Sequence, residues 1–246
     1  CPICTYSNGS WRCASQSAIE YMMDPRNSLN SSDIFQFEEL TINGCDINAI
    51  NSMINGTFLA GHANEIANSA NSTGINPYYI IARLIQEQGR NGSATSSGAS
   101  GYYNPFNIGA TGNSDAEVIE NAINYARNKG WNTLEKGITG GINFIASSYI
   151  KQGQNTLYLQ KFDVENNYNG LYWHQYMQNL MAAQSEGTTL RNTYSSINSI
   201  SSSHTFIIPL YKNMPSTACA RPNGNSNATV SGDIVKVNST TGLNLR

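Results

Sequence analysis

The sequence predicts a mainly α fold of the α+β class. The main observation is a repeated pattern in which apolar side chains at helical spacing precede a glycine, in the segments 58–74, 76–89 and 114–130. Similar spacing predicts helices at 133–150 and 171–185. The second observation is that 39% of the 246 residues are hydrophobic, which is sufficient for a folded core.

The second of these segments carries the start and end signals of a complete short helix. Asn76 is a favourable N-cap, a proline follows at the first helical position, and Gly89 can end the helix in the left-handed conformation. Ile80 and Leu84 lie on one face, and Glu87 follows on that face. The sequence therefore places a carboxylate at the C-terminal end of an apolar stripe.

The position of Glu87 suggests a general acid. Desolvation and the negative end of the helix dipole both disfavour its charged form. A carboxyl group in these surroundings keeps its proton near neutral pH, as a general acid requires. The alternative is structural, because Arg83 lies one turn earlier and such a pair contributes about a few tenths of a kcal/mol. The helix alone leaves both interpretations open.

An irregular segment follows this helix. Residues 92–101 are rich in Gly, Ser and Ala without a regular period, which predicts a loop. The loop leads into residues 102–110, which contain three aromatic residues and two asparagines. This segment can stack on a sugar ring and offer amide hydrogen bonds, or it can fill a gap in the core.

Two capping patterns precede the next helices. Ser114 with Glu117 forms a capping-box signature, and Asn132 with Glu135 repeats it. Glu135 is a candidate for a second catalytic carboxylate, and helix capping is the alternative role. The helix predicted at 133–150 contains three glycines, which permit close helix packing.

Composition excludes several classes of function. The net charge is −2 and only 12% of the residues are charged, so neither a nucleic-acid footprint nor a polybasic membrane surface is indicated. No apolar run approaches the roughly 18 residues of a membrane span. A polar, uncharged surface with many tyrosines suits a neutral polymer such as a glycan. The missing initiator Met predicts a processed or excised form.

The five cysteines do not indicate a metal centre. Cys1 and Cys4 have a spacing found in zinc and redox pairs, but Cys13 is the only further cysteine nearby. We expect no metal and no cofactor. Disulfides and free thiols both remain open, and the odd number leaves at least one cysteine unpaired within the chain.

The motifs occur in one order along most of the chain, and together they resemble the endo-β-N-acetylglucosaminidase autolysins of glycoside hydrolase family 73. The resemblance is strongest in the Glu87 helix and in residues 103–110, which match the family's Asn-x-Phe-Gly-Ile-x-Ala segment. It continues through residues 130–150, 153–158 and 174–176. It implies a lysozyme-like fold with a glycan cleft, and hydrolysis of the β-1,4 bond after N-acetylglucosamine in peptidoglycan.

The resemblance also implies roles for individual residues. Glu87 takes the general-acid position, and Tyr176 matches a tyrosine near the reaction centre. The expected substrate-binding residues are Tyr103, Asn104, Phe106, Asn107, Ile108, Gln154 and Tyr158. The asparagine at position 107 departs from the family pattern, which usually has glycine there.

The catalytic base is left open. Residues 88–103 contain no carboxylate, so a pair with lysozyme-like spacing is hard to build there. In one mechanism the N-acetyl oxygen of the substrate attacks the anomeric carbon, with Tyr176 orienting it. In the other, a distant carboxylate such as Glu135 or Asp163 activates water. We favour substrate assistance.

The expected organisation has four parts, namely an N-terminal lobe at 1–56, a glucosaminidase domain at 57–212, a linker at 213–229 and the first strands of an SH3-like wall-binding domain at 230–246. The expected partner is the peptidoglycan glycan strand, with no nucleic acid and no membrane. A secreted, wall-associated monomer is expected. The rival functions are a muramidase or lytic transglycosylase acting on the same polymer, and a non-catalytic wall-binding module.

Overall fold

The computed structural model describes residues 4–7, 10–41, 45–165, 170–201 and 203–222, with side chains from Cys13 onward. Within these residues helices predominate, as predicted. The expected SH3-like strands at 230–246 and part of the expected linker lie outside the described residues.

The described residues form eight α-helices and a short β-hairpin. The helices are α1 (Gln16–Met23), α2 (Ile47–Ile54), α3 (Ala63–Thr73), α4 (Pro77–Gln88), α5 (Asp115–Asn128), α6 (Leu134–Ser148), α7 (Leu157–Phe162) and α8 (Ala182–Ser196). In the hairpin, β1 (Cys4–Ser7) pairs antiparallel with β2 (Ser10–Cys13). Short 3-10 helices occupy Pro25–Ser28, Asp33–Phe37 and Ile150–Gln152.

The chain divides into two compact units. The first comprises the described residues of Cys1–Glu39, Gly153–Arg191 and Ser203–Arg246, and the second comprises Leu40–Gln152 and Asn192–Ser202. The units are therefore interleaved along the chain, whereas the sequence suggested consecutive domains with a boundary at 56/57. Assignment of those domains stays a prediction.

Helix α4 is the buried centre of the second unit, and its predicted limits are confirmed. The Asn76 side chain accepts hydrogen bonds from the amides of Tyr78 and Tyr79, and it donates to the Tyr194 hydroxyl at 2.6 Å. Gly89 ends the helix with a φ of 69°. Ile80 and the other apolar side chains of its inner face are fully buried, so packing as well as capping stabilises the helix.

Helix α6 packs against α3 in the same unit, where Ser69 and Thr139 form a hydrogen bond of 3.2 Å. Its N-cap differs from the prediction, because the Thr133 hydroxyl accepts from the Lys136 amide and Asn132 does not cap the helix. The predicted capping box of Glu135 is therefore wrong, since its premise was Asn132 as the cap.

The glycines of α6 bring another segment close to the helix. A Cβ atom added at Gly141 would lie 2.0 Å from the Phe106 ring, and one at Gly140 would lie 2.3 Å from Trp131. A Cβ at Gly137 would lie 2.7 Å from the Tyr103 carbonyl oxygen. The glycines thus allow residues 103–106 to pack directly on the helix, whereas the sequence suggested close packing with another helix.

The first unit is built around aromatic side chains. The Tyr158 ring lies 5.1 Å from that of Phe37 and 4.8 Å from that of Phe162, measured between centroids. Phe206 is extended and pairs with Glu38 through an isolated β-bridge. The predicted helix at 171–185 is wrong over most of its length, because regular helix begins only at Ala182.

Two further features of the described residues concern thiols and helix length. Cys13, Cys45 and Cys219 are free thiols. No helix in the described ranges has both the length and the apolar character needed to cross a membrane.

We predict that Gly141→Ala destabilises the protein. The added methyl group overlaps the Phe106 ring, and overpacking of this kind costs about 1–3 kcal/mol, against which the helix-propensity gain is about 1 kcal/mol. Thermal unfolding followed by circular dichroism measures the change. Asn143→Ala, at an exposed position of the same helix, is the matched control and should be stabilising by about half a kcal/mol, because alanine has the higher helix propensity. Equal melting temperatures for the two variants would contradict the packing argument.

Candidate active site

Glu87 lies in the last turn of α4 with 23% of its side chain exposed, and both carboxylate oxygens are held. The Arg83 guanidinium donates to Oε1 at 3.2 Å, and the Asn107 amide donates to Oε2 at 3.1 Å. The carboxylate therefore has a fixed orientation and keeps access to solvent.

The Arg83 pair is the structural alternative that the sequence left open, and it is present. Arg83 is almost completely buried, with 2% exposure. The Glu87 carboxylate is therefore held by a nearly buried cation, in addition to its place at the end of the helix.

Asn107 reaches Glu87 because the loop after α4 closes on the helix end. The Gln88 side chain donates to the Pro105 carbonyl at 3.0 Å and to Asn107 Oδ1 at 3.1 Å. The Thr95 hydroxyl donates to the same Asn107 oxygen at 2.8 Å. Asn107 has a φ of 51°, in the left-handed region where asparagine is tolerated better than most residues.

Most of the expected substrate-binding residues near Asn107 are buried. Asn104 is 0% exposed, and its side chain hydrogen-bonds the backbone of Ile108 and of Ala122. Phe106 and Ile108 are also buried, whereas Tyr103 and Asn107 are half-buried. Asn104, Phe106 and Ile108 thus hold the segment in place through their buried side chains. Substrate contact by any of these three residues stays a prediction.

Tyr176, Gln154, Tyr158 and Asp163 lie in the first unit, whereas Glu135 lies in the second. Tyr176 is half-buried, and its amide donates to the Gln160 carbonyl at 2.9 Å. Gln154 is fully buried, donates to the His174 carbonyl at 2.8 Å, and pairs with the His174 ring at 2.7 Å. Burial lowers the pKa of His174, although the negative charge of Asp163 acts to raise it. These contacts hold the irregular stretch that carries Tyr176.

Asp163 and Tyr158 are enclosed by protein. Both are 0% exposed. Asp163 Oδ2 accepts from the His174 amide at 2.6 Å, and its φ is 47°. The Tyr158 hydroxyl bonds to the Met23 carbonyl and to Tyr211, and burial raises its pKa well above the usual value. Their contacts are structural, and this burial argues against Asp163 as a base that activates solvent water.

Sequence reasoning missed one contact of an expected residue and one further residue. The Asn107–Glu87 contact spans 20 positions, and no local pattern indicates it. Lys161 is 0% exposed and donates to the Met177 carbonyl at 2.8 Å, directly after Tyr176. A lysine at the end of a short amphipathic segment gives no signal of burial, since lysine is rarely buried.

Comparison with known proteins identifies the fold and the relatives. No family model matches the chain. The Bifunctional autolysin of Staphylococcus epidermidis is 30% identical over 217 residues, which cover 82% of this chain and 16% of that protein. The crystal structure of S. aureus glucosaminidase B matches with a TM-score of 0.62 at 26% identity, covering 80% of each chain. The chain is a relative of the autolysin glucosaminidases.

A catalytic mutant of S. aureus Autolysin E, crystallised with the disaccharide NAG-NAM, also matches, with a TM-score of 0.61 at 21% identity over 80% of this chain and 85% of that one. The resemblance to glucosaminidases and the lysozyme-like, mainly α fold are therefore confirmed. The chain spans about a sixth of the length of the curated autolysins that it matches, 16% for the S. epidermidis protein.

We predict different effects of two substitutions at Asn107. Both Asn107→Gly and Asn107→Ala lose the amide contacts with Glu87, Gln88 and Thr95. Alanine is in addition strained at the positive φ of this position, whereas glycine is not. Asn107→Ala should therefore be less stable than Asn107→Gly by about 1 kcal/mol. Urea unfolding of the two variants measures the difference. An alanine variant as stable as the glycine variant would show that position 107 does not need the left-handed conformation.

Proposed function

We propose that the chain is the catalytic domain of a peptidoglycan hydrolase. In this proposal it cleaves the β-1,4 bond between N-acetylglucosamine and N-acetylmuramic acid, as an endo-β-N-acetylglucosaminidase. Its relatives carry the names autolysin and glucosaminidase, and one fold neighbour was crystallised with NAG-NAM. The glycan strand of the wall is the proposed substrate.

The observation that carries the proposal is the placement of Glu87. A carboxylate that is held on both oxygens, yet 23% exposed at the end of a buried helix, can meet a polymer from solvent. We assign it the role of general acid towards the glycosidic oxygen. Arg83 and Asn107 orient it, and neither can itself supply an acid of the required strength at neutral pH.

Proton donation requires a change in the contacts of Glu87. Arg83 and Asn107 both donate hydrogen bonds to the carboxylate, so neither bonded oxygen can aim a proton at the glycan while it keeps its partner. We propose that the oxygen that donates the proton gives up its contact with Arg83 or Asn107 as the glycan binds.

Substrate assistance is the favoured second half of the mechanism. Asp163 has no exposed surface and its Oδ2 already accepts a hydrogen bond. Glu135 lies near His62 and Glu65 at the start of α6. The enclosure of Asp163 makes it unsuited to activating solvent water, and this supports attack by the N-acetyl oxygen of the substrate.

The proposed place of action follows from the proposed substrate. Peptidoglycan lies outside the cytoplasmic membrane, so we propose a secreted protein that works at the cell wall as a monomer. A wall-binding SH3-like segment at the C-terminus is part of this proposal, as are the domain limits expected from the sequence.

Replacing Glu87 tests the assignment of the acid. Glu87→Gln keeps the shape and a hydrogen-bonding side chain but has no proton to give, so wall-lytic activity should fall by about 100-fold or more. Clearing of a suspension of purified cell walls measures the rate. Glu120→Gln, at an exposed position of α5, makes the same chemical change elsewhere and should keep full activity. A fully active Glu87→Gln protein would remove Glu87 from the mechanism.

Analysis of the digest tests the bond that is cut. Mass spectrometry of the products, after borohydride reduction, should show N-acetylglucosamine at the reducing ends. Reducing N-acetylmuramic acid would indicate a muramidase, and anhydro-N-acetylmuramic acid would indicate a lytic transglycosylase. Intact walls, together with retained wall binding, would indicate a non-catalytic module.

A further inference from the structure

A histidine and two glutamates meet at the start of two packed helices in the second unit. His62 directly precedes α3, Glu65 lies in its first turn, and Glu135 lies in the first turn of α6. One ligand atom from each of the three lies within 4.8 Å of the other two. This cluster involves none of the contacts that hold Glu87.

Two atoms of the cluster lack a hydrogen bond. His62 Nδ1 and Glu65 Oε2 have almost no accessible surface, and neither has a hydrogen-bond partner. They lie 3.8 Å apart, which is too far for a hydrogen bond. Buried polar atoms are normally satisfied by protein, water or an ion. A ligand placed between these two atoms would satisfy both.

The charges of the cluster favour a cation. Glu65 and Glu135 bring two carboxylates together, each from the first turn of its helix. Two carboxylates brought this close repel each other, and an ion with two positive charges turns that repulsion into attraction. Since Thr133 caps α6, Glu135 is not needed for capping.

We propose that His62, Glu65 and Glu135 bind one divalent transition-metal ion, with Zn²⁺ as the best fit. Imidazole combined with carboxylates suits zinc, whereas Ca²⁺ and Mg²⁺ prefer oxygen ligands alone. Ligands around tetrahedral zinc lie about 3.4 Å apart, so separations of up to 4.8 Å must shorten by up to about 1.4 Å. Rotation of the exposed Glu135 side chain would bring it closer, and the 3.8 Å between His62 and Glu65 would need only a small side-chain shift. Water would complete the coordination.

The metal would join the start of α3 to the start of α6. Ser69 and Thr139 connect the same helices one turn further along, so the ion would extend an existing contact. Because the ion binds only when both helices are packed, it would stabilise the fold. The proposal does not depend on the glucosaminidase activity.

Zinc binding to the whole chain tests the proposal. The protein is stripped with EDTA, its thiols are alkylated to remove zinc binding by cysteines, and ZnCl₂ is added during isothermal titration calorimetry. We expect one Zn²⁺ per chain, and a rise in melting temperature of about 5 °C at saturation. CaCl₂ and MgCl₂ should leave the melting temperature unchanged.

Variants assign the binding to the cluster. His62→Ala and Glu135→Gln should each abolish the zinc-dependent rise while remaining folded by circular dichroism, because His62 makes no capping hydrogen bond and Glu135 is exposed. Glu120→Gln should retain the full rise. The proposal is overturned if the alkylated wild type shows no zinc-dependent rise, or if the two cluster variants bind zinc as the wild type does. An equal response to calcium would show a carboxylate site in which the histidine is not a ligand.

Discussion

The site depends on the pairing of a buried cation with a partly exposed anion. Arg83 has 2% exposure, and a charge at that depth is tolerated only if it is compensated. Glu87 supplies the opposite charge one turn later, at the end of the helix where solvent is reached. The buried arginine therefore limits where the carboxylate can point. An exposed glutamate without such a partner would sample many rotamers, and its oxygens would have no fixed position.

This pair needs support from parts of the chain that are distant in sequence. Asn107 completes the hydrogen bonding of Glu87, and it holds its position through Gln88 and Thr95. The segment around it rests on α6, where Gly141 leaves room for the Phe106 ring. The geometry of one carboxylate thus depends on glycines about 50 positions further along the chain, since only a residue without Cβ permits that close approach.

The sequence was sufficient for features that are set by near neighbours. Helix α4 was predicted in full because the N-cap Asn76 and the terminal Gly89 each act within a few residues. The Arg83 pair could be proposed because it spans one helical turn. The contact between Asn107 and Glu87 could not, because it exists only after the loop has closed and α6 has packed. The approach of Glu135 to His62 and Glu65 could not be predicted for the same reason, because those residues lie at the start of α3.

The first unit shows how polar and aromatic side chains of residues 153–178 become part of the interior. The family resemblance implies that Gln154 and Tyr158 bind substrate, which stays a prediction, and both are fully buried. The stretch before Tyr176 is irregular, so its backbone groups cannot satisfy one another and must find other partners. Buried polar side chains supply them, as in the bonds from Gln154 to the His174 carbonyl and from Lys161 to the Met177 carbonyl.

The three candidate carboxylates differ in their surroundings more than in their chemistry. Asp163 is enclosed and already bonded to an amide, Glu135 faces a histidine and a second glutamate, and Glu87 alone is both held and open to solvent. In glycosidases, two carboxyl groups of the same chemistry take different catalytic roles because their surroundings differ. The mechanism that we propose from the surroundings of these groups therefore uses one protein carboxylate as the acid and takes the nucleophile from the substrate.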